Sequence, residues 1–264
     1  MHQVLEMIRE TWRLRHFWVE LARHDIKERY RRSLLGIAWS LIKPGAMTFI
    51  LTMIFSNVFA ISVQEYAPYL FLGLVTWQFF AESILQGCTS FGLGRTYLRV
   101  RKIPLAIFPL RVVLSAGIHA LIALTTAIAA LALIRGRLEF LPLLALPPAL
   151  LIMVMAAWSL ACLGAILHAV YSDTRQVAEI ALQVLFYATP VIYIPASLTN
   201  SGWLRLLVEC NPFSSFLELI RMPLLHGAWP SLHAFLTAAI FATAISILAW
   251  VSLHRAERRL VLWL

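Results

Sequence analysis

The chain has 264 residues, of which 61% are hydrophobic and 13% are charged, and its mean hydropathy is +0.79. Soluble domains carry about 25% charged residues, so this composition excludes an ordinary water-soluble protein and predicts an integral membrane protein. The formal net charge of +9 does not indicate nucleic-acid binding, because the basic residues flank apolar segments, as membrane topology requires.

The chain begins with a charged, amphipathic segment. Between Val4 and Ile26 the apolar residues recur at helical spacing, with Trp12 and Trp18 on the apolar side. This pattern is typical of a helix that lies in the membrane interface, and a helix packed on soluble protein is the alternative. We predict a cytoplasmic interface helix over residues 1–33.

Later stretches are apolar and long enough to cross a bilayer, which takes about 20 residues. The six predicted spans cover residues 34–59, 67–91, 108–134, 141–170, 177–194 and 232–253. No internal repeat or polar linker divides them. Residues 1–264 are therefore predicted to form one all-α transmembrane domain.

Lys and Arg residues are concentrated in the N-terminal segment, in the loop after the second predicted span and in the C-terminal tail. Positive residues favour the cytoplasmic side of a membrane. Six spans would place these three regions on the same side. Both termini are therefore predicted to be cytoplasmic.

The longest segment on the opposite side joins the fifth and sixth predicted spans. Two short apolar runs, 203–208 and 213–225, are separated there by Asn211 and Pro212. Neither run is long enough to cross a bilayer, and irregular backbone at membrane depth must be shielded by protein or water. We predict two short re-entrant or surface helices.

The sequence lacks the motifs of common catalytic and metal sites, including GxxxxGK[ST], HExxH, CxxC and GxSxG. We therefore predict no catalytic residue, metal ligand or cofactor in this chain. His119 and His168 lie in apolar spans and are expected to pack there. Glu82 lies one turn before Gln86, and this pair is expected either to line a pathway or to lie near a membrane edge.

Aromatic residues make up 12% of the chain. Trp and Tyr near span ends normally form an interfacial belt, which is the expectation for Tyr66 and Tyr69. Rings inside spans could instead present flat apolar faces to sugar C–H groups. For the rings inside spans, both interpretations, an interfacial belt and a channel lining, stay open. The candidate channel-lining residues are Trp77, Phe80, Tyr187 and Tyr193.

Four basic residues mark the cytoplasmic end of the first predicted span. They are Arg29, Arg31, Arg32 and Lys43. The excess of positive charge on the cytoplasmic side accounts for them. They would also suit a lipid phosphate or pyrophosphate headgroup, because Arg binds phosphate at two points. We treat them as a candidate lipid-phosphate site where a substrate would enter.

Several stretches resemble one family, in the same order along the chain. They are DIKERYRRSLLGIAWSLIKP (25–44), the Phe108-Pro109 loop, TPVIY (189–193) and NPFSSFLELIR (211–221). These stretches resemble the permease subunits of ABC transporters that export polysaccharides and polyol phosphates. The chain departs from that family at Ser172, where the family has Arg, and it lacks a second Pro after Phe108-Pro109.

The resemblance implies a six-span homodimer in the bacterial cytoplasmic (inner) membrane, paired with a dimer of ATPase subunits that supply the ATP and Mg chemistry. It implies export of a lipid-linked O-antigen, capsular or teichoic-type polymer between the first and fifth spans, and no enzyme activity in this chain. One alternative is an ABC permease for a small lipid or drug; a second is a membrane-embedded glycosyl- or acyltransferase. The residues expected to couple to the ATPase are Ile103, Pro104, Leu105, Phe108, Asp25 and Arg29.

Overall fold

The computed structural model describes residues 9–31, 33–100, 103–135, 139–195, 202 and 208–260. Within these ranges the chain forms helices joined by short connections, and it forms no strand. A 3-10 turn, Gly36–Ala38, precedes α2, and a π-helical turn, Met222–His226, follows α8. The helices are α1 (Arg15–Tyr30), α2 (Trp39–Phe59), α3 (Val63–Val100), α4 (Ile107–Arg135), α5 (Phe140–Leu143), α6 (Leu146–Val170), α7 (Thr174–Ala188), α8 (Pro212–Arg221) and α9 (Leu232–Leu260).

Among the described residues, four helical stretches are long and apolar enough to cross a membrane. They match four of the predicted spans closely. They cover Gly36–Phe59, Ile107–Ile134, Phe140–Val170 and Leu232–Ala256. The predictions for 67–91 and 177–194 differ from the structure.

Helix α3 is longer and more polar than the predicted span 67–91. It runs for 38 residues, about 57 Å at 1.5 Å per residue, and it continues through residues that were assigned to a cytoplasmic loop. It packs against α2, α4 and α6. A helix that is shielded by its neighbours need not be apolar on every side, and α3 accordingly contains Gln78 and Glu82.

Helix α7 is shorter than the predicted span 177–194. It has 15 residues and ends at Ala188, about 22 Å from its start, whereas the hydrocarbon core is about 30 Å thick. Residues 189–191 form a turn, because Pro190 has no N–H to continue the helix. The predicted span is therefore a short helix followed by unwound backbone.

The segment before α9 contains one of the two predicted short helices. Helix α8 is capped by Asn211, whose Oδ1 accepts a hydrogen bond from the backbone N–H of Phe213 at 2.9 Å. It packs against α3, α6 and α9, and Phe216 and Ile220 are buried. Helix α8 is thus inserted among the long helices. The other predicted run, 203–208, falls almost entirely outside the described residues.

Helix α1 packs against α4. Leu21 and Ala22 are buried there, whereas Trp12 and Val19 are exposed. The N-terminal segment therefore contacts the helices of its own chain and still exposes apolar side chains for a membrane surface. Residues 1–8 of the predicted interface helix lie outside the described residues.

Small residues allow α3 and α6 to cross closely. A Cβ atom on Gly87 would lie 2.6 Å from the Cβ of Ala161 and 2.7 Å from its Cα, so no side chain fits there without a backbone shift. Close contact through Gly and Ala is how helices commonly associate in membranes. These two helices form the centre of the packed core.

Replacing Gly87 by Ala is expected to lower the stability of the folded protein by about 1–3 kcal/mol, because the added methyl overpacks the crossing. The matched control is Gly92→Ala on the same helix, since a Cβ at Gly92 would meet nothing within 4 Å. The measurement is the midpoint of thermal unfolding in detergent. Equal midpoints for the two variants would contradict the proposed close contact.

Candidate functional site

An ion pair joins α1 to α4. Asp25 Oδ2 lies 2.9 Å from Arg111 Nε, and Arg111 Nη2 donates to Asp25 Oδ1 at 2.9 Å. The Arg111 side chain is only 7% exposed and that of Asp25 is 28% exposed. A planar guanidinium matches a carboxylate at two points, so this pair fixes α1 against the start of α4. The Asp25 carboxylate, expected to couple to the ATPase, thus makes an internal contact.

The predicted coupling segment, 103–108, is largely buried in the chain itself. Helical backbone begins only at Ile107, so the segment is not a separate helix. The side chains of Pro104, Leu105 and Phe108 are buried, and Ile103 is half-buried. The exposed docking surface expected from the three buried side chains is therefore absent in this conformation.

Helices α6 and α3 both pack directly against the coupling segment. Trp158 Nε1 on α6 donates a hydrogen bond to the Ala106 carbonyl at 3.2 Å. On α3, a Cβ at Gly94 would lie 2.6 Å from Cδ1 of the Phe108 ring, so the ring lies directly against the backbone. Any displacement of this segment would therefore be transmitted to α3, α4 and α6.

Arg221 holds the unwound backbone after α7. Its Nη1 donates to the Pro190 carbonyl at 2.7 Å, its Nη2 to the Val191 carbonyl at 2.9 Å, and its Nε to the Tyr69 carbonyl at 3.2 Å. The guanidinium carbon lies 3.5 Å from the centre of the Tyr69 ring. Carbonyls freed by the turn thereby gain donors, as buried backbone requires.

Further side chains complete this network. Tyr66 donates to the Ile192 carbonyl at 2.8 Å, and Tyr69 donates to the Tyr193 carbonyl at 3.0 Å. Tyr66 is fully buried, so its predicted position in an interfacial belt is wrong, and the Tyr69 hydroxyl points into the protein. The motifs 189–193 and 211–221 therefore belong to one structural unit.

The aromatic candidates for a channel lining occupy different environments. Trp77 and Phe80 are buried against the Phe213 ring, at centroid distances of 5.6 and 5.2 Å. Their assignment to a channel lining is therefore corrected to core packing. Tyr187 is 65% exposed on α7, and Tyr193 is half-buried with its hydroxyl donating to the Ala188 carbonyl.

The structure describes the side chains of two of the four candidate lipid-phosphate residues. Arg31 is exposed beside Glu28, with a 4.0 Å separation between Nη1 and Oε1. Lys43 is exposed at the start of α2 and lines a cavity. Arg32 and the side chain of Arg29 lie outside the described part of the chain, so their grouping stays a prediction.

The regions described above fall within one extended family match. The description "ABC-2 type transporter" matches residues 16–225, which include Asp25, the coupling segment and Arg221. The chain belongs to the ABC-2 type transporter family. This match confirms the resemblance drawn from the sequence motifs.

Individual relatives of this ABC-2 chain are permease subunits. It is 21% identical over 256 residues to the O-antigen export system permease protein RfbA of Myxococcus xanthus, with 97% of each chain covered. It is 25% identical over 210 residues to the protein of the same name from Klebsiella pneumoniae, covering 79% of this chain and 80% of the relative. The ABC-2 chain is thus similar to transport proteins along most of its length.

Sequence reasoning missed the roles of Arg111 and Arg221. Arg111 entered the sequence analysis only as one of the basic residues near the second cytoplasmic loop, and Arg221 only as the last residue of the motif 211–221. The signal that could have singled them out is the position of an isolated cation among apolar residues, as in PLRVV and LELIRMPLL. Such residues normally have a specific partner inside the protein, although the sequence does not say which.

Proposed function

We propose that this ABC-2 chain is the membrane-spanning channel subunit of an exporter that moves a lipid-linked polysaccharide across the bacterial cytoplasmic membrane. The observation that carries the proposal is the similarity over 97% of both chains to a protein named as an O-antigen export permease. The polymer is of O-antigen, capsular or teichoic type. ATP and Mg would be bound by a separate ATPase subunit.

The proposed topology has six spans with both termini in the cytoplasm. Helix α3 is long enough for the second span, and α7 together with the unwound residues 189–193 would form the fifth. Four apolar side chains at helical spacing are exposed along one side of α7. They are Val177, Ile180, Val184 and Tyr187. This apolar surface suits contact with a second copy of the chain. The proposed assembly is a homodimer with an ATPase dimer.

We further propose that the ATPase acts on the coupling segment. Ile103 would supply the direct contact, because it is the partly exposed side chain of the segment. The buried residues from Pro104 to Phe108 would transmit its displacement to α4, and the Asp25–Arg111 pair would move α1 with it. Arg29 and Arg31 would then lie near the cytoplasmic surface, where with Arg32 and Lys43 they could attract a lipid phosphate.

Co-purification with the ATPase encoded beside this chain tests the proposal, together with export of the polymer by cells that carry both. Ile103→Asp is expected to keep the fold and to abolish ATPase binding and export, because a charge replaces an apolar contact. Phe108→Asp is expected to unfold the chain, since it buries a carboxylate. The control is His16→Asp, which adds the same carboxylate at an exposed polar position of α1.

Either of two results would contradict this function. One is a wild-type chain that folds and does not associate with the ATPase. The other is Ile103→Asp exporting as well as His16→Asp, which would show that the coupling segment has no part in the mechanism.

A further inference from the structure

A cavity of about 320 Å³ with a mixed polar and apolar lining lies between α2, α3, α4 and the end of α1; because ionisable side chains line it, it is called the polar cavity. Its wall includes Trp39, Ser40, Lys43, Gln78, Glu82 and His119. Ser40 Oγ lies 2.8 Å from His119 Nδ1, and the Tyr30 ring meets the imidazole edge-on at 5.6 Å between centroids. His119, expected to pack among apolar residues, therefore belongs to a polar group.

The composition of the polar cavity indicates the kind of ligand that it suits. Ionisable residues in membrane-embedded segments are costly and normally face a functional cavity. Lys43 offers a cation for a phosphate. Glu82, which accepts a hydrogen bond from Gln86 at 2.8 Å, and Gln78 offer acceptor and donor groups for hydroxyls. Trp39 offers a flat face for the C–H groups of a sugar ring.

A second cavity, of about 260 Å³, lies between α3, α4 and α6 and is almost entirely apolar. Its wall includes Gly117, Leu121, Leu124, Leu150 and Met153, and Leu121 is exposed at its rim. The two cavities share Val75, Phe79 and Ala120. The two cavities are therefore neighbours, and such a pair suits a ligand with a polar head and a hydrocarbon tail that passes over the residues between them.

We infer that these two cavities bind the lipid-linked end of the exported polymer. The polar cavity takes a glycosyl phosphate, with Lys43 on the phosphate, Glu82 and Gln78 on sugar hydroxyls, and Trp39 against the ring. The apolar cavity takes the nearest part of the hydrocarbon chain. This inference rests on the proposed function and specifies which end of the substrate the permease recognises.

The test uses the complex with its ATPase in phosphatidylcholine nanodiscs and a radiolabelled farnesyl phosphate that carries one N-acetylglucosamine. Lys43→Gln removes the cation. Gly117→Leu fills the apolar cavity, and a Cβ there meets only Phe79, at 3.8 Å. Each change is expected to weaken binding about tenfold or more. The matched controls, Lys27→Gln and Gly92→Leu, replace exposed residues outside both cavities and are expected to leave binding within about twofold.

Competing unlabelled compounds identify which part of the ligand is recognised. Farnesyl phosphate without sugar and N-acetylglucosamine 1-phosphate without lipid are expected to compete poorly. Equal competition by farnesyl phosphate would overturn the sugar assignment. Equal competition by phosphatidylglycerol would show that the cavities hold an ordinary membrane lipid.

Two further outcomes separate this inference from the proposed function. Unchanged probe binding in both Lys43→Gln and Gly117→Leu would overturn the inference, and ATP-driven export by the same wild-type complex would leave the proposed function standing. A wild-type complex that exports no polymer would contradict the proposed function itself.

Discussion

Replacing Arg221 by Met is expected to destabilise the folded protein by about 3–5 kcal/mol, because it removes three hydrogen bonds from a charged group, worth roughly 1.5–3 kcal/mol each. The Pro190 carbonyl keeps a second donor, the Tyr69 hydroxyl at 3.2 Å. The carbonyls of Tyr69, Pro190 and Val191 would lose the guanidinium together. Met has a similar length and carries no donor, so the change removes the hydrogen bonds while largely keeping the volume. The measurement is the free energy of unfolding in detergent.

A second substitution tests the same network from the other side. A Cβ added at Gly73 would collide with Arg221 Nη2 and lie 3.1 Å from the Val191 carbonyl oxygen. Gly73→Ala should therefore displace the guanidinium, and the double variant should lose less stability than the sum of the two single changes. Arg175→Met, at an exposed position on α7, is the control. Equal stability of Arg221→Met and Arg175→Met would refute the role of the network.

Replacing Asp25 by Asn is expected to reduce export about tenfold or more while ATP hydrolysis continues. The nearly buried Arg111 would keep its charge and lose its carboxylate partner. Because Asp25 is 28% exposed, the cost lies below the roughly 3–5 kcal/mol of breaking a fully buried ion pair. Helix α1 would then no longer be held against α4. The measurement compares ATP hydrolysis with polymer export in proteoliposomes, and a loss of export alone is the expected signature.

A matched pair on the surface of α1 provides the control. Glu20 lies 3.7 Å from Arg23 and both side chains are largely exposed, so Glu20→Gln should cost at most about 1 kcal/mol. Exchanging the charges, with Asp25→Arg and Arg111→Asp together, is expected to restore part of the lost export. Normal export by Asp25→Asn would show that the Asp25–Arg111 ion pair between α1 and α4 has no part in transport.

Four spans could be predicted closely because each is a long stretch of high mean hydropathy with few charged residues. The ends of α3 and α7 could not. Helix α3 continues to Val100, beyond the predicted end at residue 91, because helical backbone extends into basic residues that a hydropathy pattern assigns to a loop. Helix α7 stops at Ala188 because Pro190 follows, yet the apolar residues after it extended the predicted span to residue 194.

The motifs of the candidate site could be located in the sequence, whereas the contacts that their residues make could not. The motifs around Asp25, Phe108 and Arg221 were recognised, but their partners come from residues far apart in the chain. Asp25 pairs with Arg111, and Arg221 with residues 190 and 191. The sequence shows that Arg111 and Arg221 are charged, but it does not show which groups they contact. For the same reason Trp77 and Phe80 were assigned to a channel rather than to the core.

The uneven packing of the helices has a consequence for how a bulky polymer could pass. Helix α6 has 11 buried residues, whereas α7 buries Leu182 alone. Moving α6 would break many close contacts, each small and together large. Helix α7 is anchored at its C-terminal end by the network around residues 189–193, but the rest of α7 could shift and lose few contacts. The width of a passage beside α7 could therefore change while the tightly packed helices around α6 keep their arrangement.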